Sequence, residues 1–332
     1  MSLFHTYANC TRNALLFLNR PVRALPLMLL VAALYGPAHV AADIIPPPPV
    51  LEAVLQKQVY QMTPQEAHLF IAHMQQAEPD LRRRIAAIGR KTIGQPYLLN
   101  PLGEYPFELH DTLPMFSLEH SDCVVFAEQT YAMALSRSWE EFFWTLQRIR
   151  YRDGVVGVAS RNHYTEVDWN LNNSWLVTDI SAELAGPDGP SYMFTVDRAQ
   201  FLKERFNISR SIAVQTTREA YVAKDRVGKI AAQLQDGDFV NVISVRNGQA
   251  MVTHTGLVVT TPQGERRFLN SAEPQVREES FDAFMARVAA REERATREGR
   301  VGLRLAGFKF LRLNVPVEVP PAVASPRPLA AN

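Results

Sequence analysis

The apolar residues of this sequence change their spacing halfway along the chain, and this change restricts the fold more than any other feature. From Cys123 to Leu135, apolar side chains recur at the period of an amphipathic helix. The second half contains short β-branched and apolar runs between turn residues, over residues 238–245, 253–260, 266–270 and 302–315. Helices followed by antiparallel strands predict an α+β fold, with N-terminal helices packed on a C-terminal antiparallel sheet.

Local signals support this division. Thr63, Pro64 and Glu66 form a helix start with a capping threonine, a first-turn proline and the glutamate of a capping box. Asn247 and Gly248 separate two strand-like runs, which predicts a hairpin. The helices of the first half are expected over residues 63–77, 79–93, 123–135 and 139–151.

The two ends differ in composition from the body. Residues 1–42 contain three arginines, no acidic residue and an apolar run from Ala24 to Tyr35 that is too short to span a bilayer comfortably. We expect an export signal cleaved near Ala42, and the alternative is an uncleaved membrane anchor. The rest is predicted to form a proline-rich spacer at 43–50, a helical extension at 51–79, a main domain at 80–315 and a proline-rich disordered tail at 316–332.

Charge excludes one class of partner. Without residues 1–42 the chain has a net charge of −2 with histidine neutral. A basic excess that would recruit nucleic acid or an anionic membrane surface is therefore missing. We expect no nucleic-acid partner, and membrane contact only through an uncleaved N-terminal segment.

The sequence has two cysteines, and Cys10 lies in the expected signal. Cys123 is then the single thiol of the mature chain, which permits neither an intramolecular disulfide nor a thiolate metal cluster. Such a cysteine is either a buried small hydrophobe or a reactive thiol. Ser121 and Asp122 are good N-cap residues, so Cys123 begins a helix, the position that favours a thiolate. This placement favours the reactive interpretation.

His254 is the strongest candidate for the base that a nucleophilic thiol needs. It opens an apolar strand over residues 253–259, and a sheet can hold an imidazole beside the helix that carries the cysteine. Asn270 ends the next short strand and can accept a hydrogen bond from the ring, although it is equally consistent with an ordinary strand end. The remaining histidines outside the signal lie on an early helix or in irregular segments: His68, His73, His110, His120 and His163.

A second polar and aromatic cluster occurs between the two halves of the chain. Its members, which either line a cleft or form a surface loop, are His163, Tyr164, Asp168 and Trp169.

Five motifs follow one another as IGQPY at 93–97, SDCVVFAEQ at 121–129, GDFVNV at 237–242, THTGLVV at 253–259 and FLNSA at 268–272. In this order they resemble the NlpC-type bacterial cell-wall hydrolases. The long interval from Cys123 to His254 and the segment RNHYTEVDWNLNN at 161–173 resemble the N-acetylmuramoyl-L-alanine amidase-like branch. The resemblance covers roughly residues 80–314, and the five motifs carry weight through their order.

The resemblance implies a papain-like catalytic domain that hydrolyses an amide in the peptidoglycan stem peptide or at its link to the sugar, without a metal or cofactor. Cys123 matches the nucleophile, His254 the base and Asn270 the third polar position, which is histidine in many relatives. Asp122 and Tyr97 match positions that help bind the stem peptide. Val124 departs from the family, since many relatives have serine or threonine there, and the fine specificity is therefore open.

Two alternatives remain at this point. A cysteine acyltransferase would use the same cysteine and histidine with another acceptor, and a catalytically silent cell-wall-binding protein would need no thiol at a helix start. Other enzyme classes lack their motifs, since the sequence has no G-x-S-x-G, H-E-x-x-H or P-loop pattern.

Overall fold

The computed structural model describes residues 50–322. It confirms an α+β architecture with helices in the N-terminal half and an antiparallel sheet in the C-terminal half. The expected export signal, the proline run before residue 50 and the end of the tail lie outside the described residues. Among those that are described, no helix is long and apolar enough to cross a membrane.

The larger helices match their sequence signals. Thr63 caps its helix as expected, and the Thr63 and Glu66 side chains satisfy each other's backbone N–H groups. The helices are α1 Leu51–Gln56, α2 Pro64–Ala77, α3 Leu81–Arg90, α4 Cys123–Leu135, α5 Trp139–Arg150, α6 Asn170–Asn172, α7 Ser181–Ala185, α8 Arg198–Phe206, α9 Val227–Ile230 and α10 Phe281–Arg297, with a π-helical turn at Thr165–Trp169 before α6.

One antiparallel sheet of seven strands dominates the second half. Its strand order is β1-β9-β5-β6-β7-β8, with β4 also paired to β9, and β2 and β3 form a separate two-stranded antiparallel sheet. The strands are β1 Val177–Asp179, β2 Ser191–Val196, β3 Gln215–Ala220, β4 Val222–Ala223, β5 Phe239–Arg246, β6 Gln249–Thr260, β7 Arg266–Ala272, β8 Gln275–Ser280 and β9 Arg304–Leu313.

The expected hairpin is β5–β6, and it turns at Asn247 and Gly248, both with positive φ. The last strand, β9, does not lie at an edge, because it pairs with β5 on one side and with β1 on the other. Strands β1 to β4 and β8, and helices α6 to α10, were not expected from the sequence.

The sheet is covered on both faces. On one face α4 contributes Phe126 and Tyr131 to a main core that also contains residues of α1 and α2. The helical extension at 51–79 therefore packs into the same core as the cysteine helix. On the other face α10 contributes Phe281 and Phe284 to a second core. Residues 316–322 form no helix or strand, and Val317 is partly buried against the main core.

Candidate active site

Cys123 is the first residue of α4, a helix buried along most of its length. The Asp122 carboxylate caps this helix by accepting hydrogen bonds from the backbone N–H groups of Val124 at 3.0 Å and Val125 at 2.9 Å. It also accepts from the N–H of Asn100 at 3.1 Å, which fixes the preceding loop to the helix start. The N-cap expected from the sequence is thus formed, and it orients the cysteine toward the sheet.

The segment before the cysteine is anchored to β7. The Ser271 hydroxyl donates to the Ser121 carbonyl oxygen at 3.1 Å, and the Ser121 hydroxyl donates to Gln95 Oε1 at 2.8 Å. Ser121 and Ser271 are both fully buried. These bonds hold the start of α4 against strand β7.

Cys123 is half-buried and lies against β6, where the backbone N–H and the hydroxyl of Thr255 face the sulfur. Burial, and then the charge of Asp122, raise the pKa of Cys123 to about 12, and the Thr255 groups offset only part of this. This shift is opposite in direction to the thiolate that the helix start was expected to favour, and the reactivity of Cys123 stays a prediction. The helix N–H groups that would favour a thiolate are occupied by a carboxylate.

His254 precedes Thr255 on β6, and its Nε2 lies 2.9 Å from Asn270 Oδ1. The Asn270 Nδ2 donates to the Glu279 carboxylate at 3.1 Å, and because a carboxylate only accepts, this bond fixes which end of the amide faces the ring. Nε2 must then carry the proton, and Nδ1 keeps the lone pair. The imidazole is held in the tautomer that can accept a proton at Nδ1.

The surroundings of His254 keep it uncharged. Its ring stacks on Phe284 at 5.8 Å and meets Phe268 edge-on at 6.0 Å, between ring centroids. Burial lowers the pKa of His254 to about 4, although the bond to Asn270 acts in the opposite direction. At neutral pH the imidazole and the thiol are therefore both neutral.

The two strands that carry His254 and Asn270 separate at this point. Strands β6 and β7 pair from Thr260 with Arg266 to Leu257 with Leu269, and the pairing stops there. Gly256 fills the junction, where a Cβ would lie 2.5 Å from the Leu269 carbonyl oxygen and 2.9 Å from the Asn270 Cβ. A side chain at this position would push Asn270 away from the ring.

The structure therefore places Cys123 against Thr255 and Asn270 against His254, and Thr255 and His254 are consecutive residues of β6. Among the hydrogen bonds of the described residues, none joins the thiol directly to the imidazole. Catalytic contacts are commonly long in a protein without substrate and shorten in the complex. The roles of Cys123, His254 and Asn270 remain predictions.

Tyr97 lies beside the helix start, as its assignment to substrate binding requires. It forms an isolated parallel bridge with Ser121, and its backbone N–H donates to the Pro274 carbonyl at 2.9 Å. Tyr97 is half-buried, and the next two residues, Leu98 and Leu99, are exposed. Tyr97 and the Asp122 cap thus flank the cysteine.

The cluster at 163–169 is not a surface loop. Trp169 is fully buried and donates from Nε1 to Glu128 at 3.0 Å, so it packs the core and does not line a cleft. Asp168 forms an ion pair with Arg198 and caps the Tyr164 backbone N–H at 3.0 Å. These two residues stabilise the π-helical turn.

The rings of His163 and Tyr164 both pack on Phe201 of α8. The His163 Nε2 lies 2.7 Å from the Val158 carbonyl oxygen, and burial lowers the pKa of His163 to about 3. Burial also raises the pKa of Tyr164. The structure therefore gives His163 and Tyr164 packing partners of their own, away from the cysteine helix.

The fold and the site can now be compared with known proteins. The family model described as N-acetylmuramoyl-L-alanine amidase-like matches residues 87–289, which include Cys123, His254 and Asn270. The chain belongs to this family. The family indicates peptidoglycan amidase activity and a peptidoglycan substrate. No curated protein matches the sequence.

Solved structures agree with this amidase-like assignment at the level of the fold. A crystal structure of a Legionella pneumophila protein superposes with a TM-score of 0.62 at 17% identity and covers 75% of this chain and 95% of its own. An N-acetylmuramoyl-L-alanine amidase from Bacteroides uniformis superposes with a TM-score of 0.52 at 19% identity, over 70% of this chain and 99% of its own. The finer NlpC-type, papain-like assignment remains a prediction.

Several residues of this amidase-like site were not found from the sequence. Thr255, whose N–H and hydroxyl face the sulfur, was overlooked beside the histidine. Arg150 at the end of α5 is buried and pairs with Glu128 of α4 at 3.2 Å. Its charge lowers the pKa of Asp122, against the larger effect of burial. The described residues contain no group of three histidine, cysteine or acidic side chains that would hold a metal.

Proposed function

We propose that this amidase-like protein is an exported cysteine hydrolase that cleaves an amide of peptidoglycan, with Cys123 as nucleophile and His254 as base. The observation that supports it best is the placement of a half-buried cysteine at the start of α4, against Thr255. The adjacent imidazole has its tautomer set by Asn270. A nucleophile, a base and a group that orients the base are the three parts of an acyl-transfer site.

The first step starts from a neutral pair. The Cys123 sulfur attacks the carbonyl carbon of the scissile amide while its proton passes to Nδ1 of His254, so that thiolate character develops only during attack. The Nε2–H of the imidazolium donates to Asn270 throughout, which stabilises the new positive charge. The backbone N–H of Cys123, at the helix start, is the candidate donor to the oxyanion.

The second half completes the cycle. His254 returns the proton to the leaving amine, the carbon–nitrogen bond breaks, and a thioester to Cys123 remains. His254 then takes a proton from water, whose oxygen attacks the thioester, and the thiol is released with the carboxylic acid. Every proton is accounted for by one imidazole, so the chemistry requires no further acid or base.

The substrate follows from the family, and the export follows from the sequence. The bond cleaved is either the link between N-acetylmuramic acid and L-alanine or an amide within the stem peptide. Export rests on the expected signal at residues 1–42 and places the enzyme with its polymer.

Digestion of purified muropeptides by the chain without residues 1–42, followed by mass analysis, tests the proposal. An amidase separates sugar from peptide, whereas an endopeptidase leaves the first residues of the peptide on the sugar. We expect Cys123→Ala and Cys123→Ser to abolish product at an unchanged melting temperature, because the site has no base strong enough to activate an ordinary hydroxyl. Full activity in Cys123→Ala would refute the proposal.

A further inference from the structure

The face of the sheet that carries α4 changes from apolar to polar beside the cysteine. Asn241 of β5 is the cross-strand partner of Thr255 on β6 and of Lys309 on β9, so these three side chains, the polar row, point to the same face. Two residues back along the same strands, the main core receives Phe239, Leu257 and Leu311. The polar row therefore begins where the core ends, at the start of α4.

One member of the polar row is satisfied, and the others are not. The fully buried Lys309 forms ion pairs with Asp179 and Glu219. Asn241 is 0% exposed, and its Oδ1 accepts from Asn170 Nδ2 at 2.9 Å. This bond leaves Asn241 Nδ2, Asn170 Oδ1 and the Thr255 hydroxyl without an oxygen or nitrogen partner among the described residues.

The unsatisfied amide groups form a complementary set. If the orientation of both amides is reversed, the bond between them is kept, and Asn170 then offers the donor while Asn241 offers the acceptor. Either orientation leaves one N–H donor and one carbonyl acceptor. The backbone N–H and C=O of one extended residue point to the same side and present the same two functions in reverse, so one such residue would satisfy both amides at once.

The pair also lies at the correct place for a substrate. Cβ atoms of cross-strand partners are about 5 Å apart, and Thr255 directs its hydroxyl and N–H to the Cys123 sulfur. Asn241 is thus about one strand spacing from the group that faces the nucleophile. Asn170 is half-buried at the start of α6, whereas its unpaired Oδ1 and the unpaired Asn241 Nδ2 are themselves buried, so a ligand reaches the pair only after the Asn170 side chain moves.

We propose that Asn241 and Asn170 bind the backbone N–H and C=O of one residue of the stem peptide beside the scissile amide. This subsite rests on the proposed hydrolase function and adds a specificity-determining contact to it. Leaving buried amides unpaired destabilises the folded protein. A bound peptide satisfies both amides and so favours substrates that carry a peptide bond at this distance from the cleaved one.

Two variants test the subsite. Asn241→Leu keeps the side-chain volume and removes the unpaired amide, and Asn170→Ala removes its partner at a half-buried position where folding is less at risk. We expect kcat/KM for muropeptides to fall roughly tenfold in each, as for the loss of one or two hydrogen bonds. The alkylation rate of Cys123 by iodoacetamide and the urea midpoint should not fall.

Asn172→Ala is the matched control, because Asn172 makes a similar bond to Asn162 at 2.7 Å two positions further along. We expect its kcat/KM to equal that of the wild type. Unchanged kcat/KM in both Asn241→Leu and Asn170→Ala would overturn the proposal. A loss accompanied by slower alkylation and a lower urea midpoint would also overturn it, since that pattern indicates a structural role.

Substrate analogues identify the contact directly. A series of stem peptides is made, each with one backbone N–H replaced by an ester oxygen. The replacement at one position should lower kcat/KM of the wild-type enzyme, and the same replacement should not lower kcat/KM of Asn170→Ala any further. Additive losses at every position would refute the subsite. If Cys123→Ala stays active, the hydrolase function fails and the subsite with it; if only the asparagine variants behave as wild type, the subsite fails alone.

Discussion

Asp122→Asn is the substitution that most directly tests the electrostatics of this site. Asparagine caps a helix about as well as aspartate, so the bonds to the N–H groups of Val124 and Val125 can persist. The charge beside the thiol is removed. Because that charge is the second largest cause of the raised pKa of Cys123, after burial, the substitution should lower the thiol pKa from about 12.

The size of the effect can be estimated. Removing a charge within a few ångströms changes a pKa by about 1 to 3. Each decrease of the thiol pKa by one gives tenfold more thiolate at pH 8, but the less basic thiolate is about threefold less nucleophilic. The net result is that alkylation is about threefold faster for each such decrease. We therefore predict that iodoacetamide alkylates Cys123 about 3-fold to 40-fold faster at pH 8 in Asp122→Asn.

Measuring alkylation rate against pH, with mass spectrometry of the modified peptide, provides the readout. Asp80→Asn is the control, because Asp80 caps α3 through the N–H of Arg83 in the same way. It should leave the alkylation rate unchanged. Equal or slower alkylation in Asp122→Asn, with the melting temperature of the wild type, would show that the carboxylate does not suppress the thiolate.

Two further predictions follow from the neutral histidines. His254→Ala should lose muropeptide turnover but keep the wild-type pH profile of Cys123 alkylation, because an imidazole with a pKa of about 4 is uncharged at neutral pH and cannot stabilise a thiolate. The control His110→Ala, at an exposed position, should keep both the turnover and the alkylation profile. A shifted profile in His254→Ala alone would indicate a preformed ion pair. For His163, whose pKa of about 3 lies below the unfolded value of about 6.5, protonation of the unfolded chain removes stability as the pH falls below 6.5. Urea unfolding at pH 7 and pH 5 should show that His163→Phe loses about 2 kcal/mol less than the wild type, and equal losses would contradict this.

Periodicity and capping signals were sufficient to predict the larger elements. Helix α4 was predicted from its apolar spacing and its Asp122 cap, and the β5–β6 hairpin from Asn247 and Gly248, because these signals act within a few residues. The position of β9 between β1 and β5 depends on pairings between residues that are 59 or more positions apart, which no local pattern encodes. The same holds for α10, whose role is to cover the second face of the sheet.

The sequence was sufficient to select candidate site residues, but not to predict the burial and the hydrogen-bond partners of their side chains. The pairing of His254 with Asn270 was expected from two strand ends, and the structure places these groups 2.9 Å apart. Trp169, by contrast, was assigned to a cleft or a loop because its sequence neighbours are polar. Its burial follows from Glu128, which lies 41 positions earlier and accepts the indole N–H. A hydrogen bond between distant segments leaves no trace in composition.

The charge state of the thiol shows most clearly why sequence and structure differ. A helix start favours a thiolate, but a carboxylate cap occupies the same N–H groups, and burial opposes any charge on the sulfur. All three effects depend on the folded positions of Asp122 and Cys123. The helix start lowers the pKa of the thiol, whereas the carboxylate and burial raise it. Sequence reasoning weighed only the helix start. The net effect on the thiol pKa can be judged only once Asp122 is known to be buried and bonded to three N–H groups. In place of a preformed ion pair, it gives a site where the base takes the proton from the thiol during attack.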